Sequence, residues 1–280
     1  MMIKQGMQEV SSLFSPINWG EIQTLRKKFF VLISFIVLLG LIMVYSSSYI
    51  YAKEHFNSST YYVLRQLTYL FFSISFAFVV SKSKCFFWIK YGKYINILAA
   101  FVLVLTFVPG LGAEAKGAYR WIAFGGLSFQ PAEIVKITLI LSSLSYFEDF
   151  SFLSLKQKVY WGLSLFFPLV LILIQPDFGS FFVALTLLIM TCYLSSFPRK
   201  LFYAFVSLGV LATIPALLLQ SYRVKRLLIF LDPWSDPQGS GFQIIQSYLA
   251  FAGGGLWGQG LGNSNEKLFY LPEAHNDFIF

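Results

Sequence analysis

Seven apolar stretches, each long enough or nearly long enough to cross a bilayer, constrain this chain more than any other feature. A hydrocarbon core of about 30 Å takes about 20 helical residues. The chain is 57% hydrophobic and only 12% charged, whereas a soluble domain carries about 25% charged residues. The sequence therefore predicts an all-α polytopic membrane protein with a single transmembrane domain over residues 1–280. The predicted spans lie near residues 29–47, 61–80, 94–109, 131–147, 159–174, 180–197 and 201–219.

Basic residues near the span ends predict the orientation of the chain in the membrane. Lys and Arg collect in cytoplasmic loops, and a cytoplasmic N-terminus places most of these residues inside. The long segment of residues 220–276 then lies outside as an extracytoplasmic loop. Its basic cluster of Arg223, Lys225 and Arg226 is an exception to the charge rule and invites a functional explanation.

Composition excludes several other classes of protein. The net charge of +8 does not indicate nucleic-acid binding, because the basic residues are dispersed between apolar spans and form no continuous patch. Cys85 and Cys192 are both predicted on the cytoplasmic side, where thiols stay reduced, so no disulfide is expected. The glycines of residues 253–262 follow no strand, which excludes a dinucleotide-binding fingerprint.

Several ionisable residues are predicted at membrane depth, where they are costly unless they face a partner or a wet cavity. Glu133 and Lys136 are three residues apart and share one face of a helix that begins at Pro131. Asp177 follows a Gln-Pro pair and is suited to cap the next helix. Two interpretations stay open: a local ion pair and a cap that hold helices together, or the polar lining of a cavity.

Two basic and aromatic groups are predicted on the outer side. In one, Arg120 lies beside Trp121, and a guanidinium at the headgroup level can bind phosphate with two hydrogen bonds. In the other, Arg223 and Arg226 could hold a second anionic headgroup. The alternatives are an ordinary interfacial anchor and simple contact with anionic lipid.

The last residues of the chain form the most distinctive polar segment. Glu273, His275 and Asp277 lie where the chain is predicted to re-enter the bilayer, followed by an aromatic run. A carboxylate in such a partly desolvated cleft can act as a general base or a cation ligand. A two-histidine metal site is excluded, because the other histidine, His55, lies in a different loop. A carboxylate and water site for Mg²⁺ or Mn²⁺ stays open.

These residues occur in an order that resembles the SEDS family (shape, elongation, division and sporulation), membrane peptidoglycan glycosyltransferases that include FtsW, RodA and SpoVE. The Pro-Glu-Ala-His of residues 272–275 is similar to the FtsW and SpoVE branch, whereas RodA-like chains usually have Arg in place of Ala. The motifs that carry the resemblance are residues 117–122 (GAYRWI), 130–136 (QPAEIVK), 175–179 (QPDFG), 222–226 (YRVKR), 232–237 (DPWSDP) and 271–280 (LPEAHNDFIF).

The resemblance implies an inverting transferase that polymerises lipid II into glycan strands on the outer face and releases undecaprenyl diphosphate. It implies that Asp277 is the catalytic acidic residue, which accepts the proton of the acceptor sugar hydroxyl directly or through Mg²⁺ or Mn²⁺. The substrate-binding residues that we expect are Arg120, Trp121, Glu133, Lys136, Asp177, Arg223, Arg226, Glu273 and His275.

The resemblance also implies partners and a location. We expect an FtsI-like class B penicillin-binding protein and other division proteins as partners, and the septum of the bacterial cytoplasmic (inner) membrane as the site of action. The family has ten spans, of which about seven are present here, so we expect a chain truncated before its eighth span. Asn276 stands where the family more often has Thr, a mild change beside Asp277.

Two rival functions stay open at this stage. Polar residues between helices also mark substrate paths, so the chain could move lipid II across the membrane without polymerising it. Alternatively, it could be a non-catalytic scaffold of the division machinery that activates a class B penicillin-binding protein. Loss of polymer in an Asp277→Asn variant that still folds and binds its partner would separate the enzyme from both.

Overall fold

The computed structural model describes residues 19–115, 117–124, 126–219, 221–263 and 279. It divides into two compact units, one of residues 1–71 and 236–280 and the other of residues 72–235. The elements in chain order are α1 (Trp19–Phe56), α2 (Tyr61–Lys82), α3 (Cys85–Leu105), β1 (Gly112–Ala115), β2 (Ala118–Phe124), β3 (Leu127–Phe129), α4 (Pro131–Asp149), α5 (Leu155–Ile174), α6 (Phe178–Leu194), α7 (Arg199–Leu218), α8 (Ser221–Leu231), a 3₁₀ turn (Pro233–Ser235) and α9 (Phe242–Gly254).

The seven long helices α1 to α7 lie at the seven predicted spans, which confirms a mostly helical, multi-pass membrane protein. Among the described residues, five helices are long and apolar enough to cross a membrane, namely α1, α2, α3, α5 and α7. The helix α6 is apolar but has 17 residues. The helix α4 carries both Glu133 and Lys136, together with an acidic pair at its end, which lowers its hydropathy.

The packed core of the second unit lies among α3 to α7. Leu103 of α3, Leu139 of α4, Leu165 of α5 and Leu188 of α6 are completely buried in it. Close helix contact is possible because a side chain is absent at Gly92, whose Cβ would lie 2.8 Å from the backbone of Leu141. Small residues permit such approach in membrane helices, where packing rather than water exclusion drives association.

A small sheet precedes α4, at a position where the sequence predicts a loop. Its three strands are antiparallel in the order β1-β2-β3. Two-residue turns join them, with Gly117 at φ +77° and Gly126 at φ +82°, a backbone region that favours glycine. The pairing skips Arg120, because Ala113 faces Trp121 and Glu114 faces Tyr119. Arg120 is therefore the extra residue of a β-bulge, a device that redirects a side chain.

The first unit contains α1, the beginning of α2 and α9. Aromatic rings close the turn between α1 and α2, where Phe56 stacks on Tyr61 with ring centroids 3.9 Å apart. A second contact joins α1 to the glycine-rich residues after α9, through Ser46 and Tyr49. The sequence prediction of a single transmembrane domain over the whole chain stays a prediction.

Candidate functional site

The candidate site is built around residues 175–177, the break between α5 and α6 in the second unit. The α5 helix ends at Ile174, and the amide of Gln175 still donates to the carbonyl of Leu171 at 3.0 Å. Asp177 is the N-cap of α6, as the sequence predicts, and its Oδ1 accepts from the amide of Ser180 at 3.1 Å. We call residues 175–177 and the side chains that hold them the polar junction.

Arg120 reaches the junction from the bulge in β2. Its Nε donates to the carbonyl of Gln175 at 3.2 Å, and its Nη2 donates to the carbonyl of Pro176 at 2.8 Å. Helix carbonyls at a C-terminus lack intrahelical partners and carry partial negative charge, so a cation there is favourable. Arg120 therefore caps α5, and its two partners lie 55 and 56 positions away from it in the sequence.

Two further side chains fix the junction from neighbouring elements. Gln130, the residue before α4, donates from Nε2 to Oδ2 of Asp177 at 2.7 Å. Tyr222 of α8 donates its hydroxyl to the carbonyl of Pro176 at 3.3 Å. The junction thus joins β2, the start of α4, the α5–α6 break and α8, and each contact involves a charged or polar group that the membrane alone would not solvate.

A buried amide lies directly beneath these contacts. Gln175 is 2% exposed, and its Nε2 donates to the hydroxyl of Thr106, which in turn donates to the carbonyl of Leu103 at 2.8 Å. Within the described part of the chain, Oε1 of Gln175 is buried without a hydrogen-bond partner. A buried acceptor of this kind is costly to leave unsatisfied.

Arg223 brings a second guanidinium to the same place. It is 8% exposed, its Nη1 donates to the carbonyl of Ala216 near the end of α7, and its guanidinium carbon lies 5.2 Å from the ring centroid of Phe178. Its Nε is buried and makes no hydrogen bond among the described residues. Arg226, one turn along α8, lies over Tyr222 at 5.5 Å.

The predicted pair of Glu133 and Lys136 is present as a local ion pair. Nζ of Lys136 lies 2.6 Å from Oε1 of Glu133, and the lysine side chain is 19% exposed whereas the glutamate side chain is 58% exposed. The pair therefore leaves a carboxylate open on the outside of α4, at a position that bare lipid would disfavour.

Of the remaining predicted residues, Trp121 is half-buried in β2, where it faces Ala113. Glu273, His275 and Asp277 lie outside the described residues, so the catalytic prediction is not located by the structure. Within the described ranges, no group of three or more potential metal-ligating side chains occurs. The carboxylate of Asp177 is already occupied by Gln130 and Ser180.

Sequence reasoning missed the residues that hold the junction. The sequence predicts no individual role for Gln130, Gln175 or Tyr222, which occur only as members of longer motifs, and none for Thr106. The two glutamines each precede a proline and a helix start, which is the one signal that could have marked them. Arg120 contacts the junction directly, and two further guanidinium groups, those of Arg223 and Arg226, lie against Phe178 and Tyr222 beside it. Guanidinium groups of this kind can bind an anion such as a phosphate.

The Asp177 cap of α6 is expected to stabilise the protein. Asp177→Ala removes the bonds to both Ser180 and Gln130, so we expect the free energy of unfolding to fall by about 2 kcal/mol. Asp177→Asn keeps a capping oxygen and should lose less than half of that amount. Thermal unfolding in detergent micelles measures both changes.

The matched control is Ser154, the N-cap of α5. Its hydroxyl accepts from the amide of Gln157 in a capping box and lies away from the junction, so Ser154→Ala should cost about 1 kcal/mol. Equal losses of unfolding free energy in Ser154→Ala and Asp177→Ala would show that the hydrogen bond from Gln130 to Asp177 contributes nothing to stability.

Comparison with known proteins gives these motifs a context. Residues 26–280 match the family described as cell cycle protein, that of FtsW, RodA and SpoVE. The chain is 34% identical over 280 residues to a probable peptidoglycan glycosyltransferase FtsW of Saccharophagus degradans, covering 97% of this chain and 71% of that protein. It is 36% identical to stage V sporulation protein E of Bacillus subtilis, covering 89% and 69%.

A solved structure is similar as well. It is that of a peptidoglycan synthase complex that coordinates polymerization and crosslinking, with a TM-score of 0.52, 25% identity, and coverage of 78% of this chain and 64% of that chain. This chain spans between 62% and 71% of the length of these curated relatives, the FtsW proteins and stage V sporulation protein E.

Proposed function

Because this chain belongs to the FtsW, RodA and SpoVE family, we propose that it is a peptidoglycan glycosyltransferase that polymerises lipid II during cell division. The observation that carries the proposal is the family match over residues 26–280. It is supported by the polar junction, which is assembled from the motifs that carry the resemblance and has an excess of guanidinium groups.

In the proposed reaction, the 4-hydroxyl of the acceptor N-acetylglucosamine attacks the anomeric carbon of the donor. The new carbon–oxygen bond forms as the bond from that carbon to the diphosphate oxygen breaks, and its electron pair leaves with undecaprenyl diphosphate. The carboxylate of Asp277 accepts the hydroxyl proton. One displacement inverts the anomeric centre and converts an α-linked lipid donor into a β-1,4 glycan.

The leaving group is already a diphosphate, so positive charge can replace the general acid that glycoside hydrolysis requires. We assign this charge to Arg223 and Arg226, with Lys136 as a third cation. Arg120 uses two of its donors on the carbonyls of Gln175 and Pro176. We therefore propose that it both shapes the junction and contacts the lipid diphosphate with its remaining donors.

The other predicted residues take supporting roles in the proposal. Glu133 tunes the charge of Lys136 through their 2.6 Å pair, and Asp177 fixes the start of α6. Trp121 packs at the edge of the substrate, and Glu273 and His275 flank the catalytic carboxylate.

A divalent cation is compatible with this proposal but no step requires it. Asp277, together with Glu273, has the oxygen chemistry that Mg²⁺ or Mn²⁺ prefers, and a bound ion would supply positive charge next to the diphosphate. The described residues offer no comparable ligand group, so the assignment rests on residues 264–277 alone, which we call the acidic segment.

The partner and the location are further parts of the proposal. The likeness to a peptidoglycan synthase complex supports a penicillin-binding protein as the partner, and we propose an FtsI-like class B enzyme within the division machinery. The distribution of basic residues supports a cytoplasmic N-terminus, and we propose the septum of the inner membrane as the site of action.

The proposal is tested with purified protein in vesicles that contain fluorescent lipid II, with and without a class B partner. We expect a ladder of glycan polymer on gels and release of undecaprenyl diphosphate. Movement of lipid II across the vesicle membrane without polymer would favour a transporter. Absence of both, with the partner still bound, would favour a scaffold.

A further inference from the structure

A hydrogen-bonded contact in the first unit holds the backbone of a single glycine. The hydroxyl of Ser46 accepts from the amide of Gly262 at 2.9 Å, and the hydroxyl of Tyr49 donates to the carbonyl of the same glycine at 3.3 Å. Ser46 and Tyr49 are three residues apart on α1 and therefore share a helix face. The backbone N–H and C=O of one residue are thus both bonded to side chains of a helix more than 200 residues away in sequence.

The backbone conformation favours glycine at this position, whereas its neighbour leaves room for a Cβ at ordinary contact distance. Gly262 has φ +77°, where an L-residue is strained, and a Cβ there would lie 3.6 Å from the Tyr49 ring. The same turn is tied back to its own helix, since Gln259 donates to the carbonyl of Gly253 at 3.2 Å and Asn263 donates to the carbonyl of Gln259 at 3.3 Å. The turn is fixed between the end of α9 and α1.

We propose that Ser46 and Tyr49 are positioning residues that anchor the start of the acidic segment, and so help to place its catalytic carboxylate. The inference rests on the proposed function of Asp277. Gly262 is the last described residue that α1 holds before that segment, and it lies 15 positions before Asp277. The end of α9 at Gly254 lies 23 positions before Asp277. Shortening the intervening segment from 23 to 15 positions raises the probability of bringing its two ends together only about twofold. The two directional hydrogen bonds must therefore carry most of the positioning effect.

The experiment compares Ser46→Ala and Tyr49→Phe with matched controls on the same helix. Ser47→Ala removes only a hydroxyl bonded to the carbonyl of Val44, and Tyr45→Phe changes a ring that is 43% exposed and lies 5.9 Å from Tyr49. Each variant is assayed as the full protein for amide exchange in residues 256–263 and for the kcat and KM of lipid II polymerisation.

We expect faster exchange at residues 256–263 in Ser46→Ala and Tyr49→Phe, and a kcat reduced about three- to tenfold with KM changed less than twofold. The loss expected for one or two hydrogen bonds is of this size. Ser46→Thr, which keeps the hydroxyl, should restore kcat, and both controls should leave exchange and kcat unchanged. Recovery with Thr separates positioning from a general loss of folding.

Two results would overturn the inference. One is unchanged exchange in both variants, which would mean that the contact does not hold the turn. The other is faster exchange with unchanged kcat, which would mean that the anchored turn has no bearing on catalysis. Failure of the proposed function is a different result, namely normal polymerisation in Asp277→Asn, measured in parallel on the same preparation.

Discussion

Asp277→Asn is expected to reduce lipid II polymerisation by about two to four orders of magnitude, the range that a general base contributes. The amide has nearly the shape of the carboxylate but cannot accept the hydroxyl proton, so binding and folding should persist while the chemical step fails. The kcat should fall far more than KM changes. Polymer formed from fluorescent lipid II over short times measures the rate.

The control for this variant is a carboxylate that lies outside the proposed chemistry. Glu114 is an exposed residue of β1, and Glu114→Gln removes one negative charge from the same protein without touching the acidic segment. Its polymerisation rate should stay within twofold of the wild type. An unchanged rate in Asp277→Asn, with the protein folded and bound to its partner, would refute the catalytic assignment.

The spans were predictable because bilayer thickness sets the length of an apolar run. Their ends were not, since helices continue past the hydrocarbon into residues that look like loops. The third span was predicted from residue 94, whereas α3 begins at Cys85. Lys93 is the residue that places the predicted start too late, because a lysine is costly within a membrane span. In the structure Lys93 is 8% exposed, its Nζ lies 3.7 Å from Oδ2 of Asp149, and the same atom lies 5.4 Å from the ring centroid of Trp161.

The candidate site divides in the same way between local and distant contacts. The Asp177 cap and the pair of Glu133 and Lys136 depend on residues three positions apart, so helical geometry alone predicts them. The contact of Arg120 with the carbonyls of Gln175 and Pro176 depends on a bulge in a strand, at a position where the sequence predicts a loop. No local pattern predicts that contact, because it requires knowledge of where β2 lies relative to α5.

The small sheet was missed although its turns were visible. Gly117 and Gly126 each belong to a two-residue connection between short apolar strands, a pattern typical of hairpins. Strands of three to seven residues give too little alternation to detect against a background of apolar helices. The glycines therefore predicted the turns but not the pairing.

The second large effect is expected for Arg223→Lys, which should raise the KM for lipid II about tenfold, equivalent to ~1.4 kcal/mol. Lysine keeps the charge but loses the planar fork and the stacking of a guanidinium on an aromatic ring. Arg223 uses both, through Ala216 and Phe178, and its positive charge is the one that we assign to the diphosphate. Because lysine keeps the positive charge that we assign to the leaving diphosphate, kcat should change less than threefold.

Arg199 provides a control with the same kinds of contact at a different place. Its Nη1 donates to the carbonyl of Tyr193 at 2.9 Å, and its guanidinium carbon lies 5.1 Å from the centroid of that ring. Arg199→Lys should therefore lower thermal stability slightly and leave the KM for lipid II unchanged. If the two variants raise KM equally, the effect comes from general loosening of the helices, and Arg223 has no specific role toward the diphosphate.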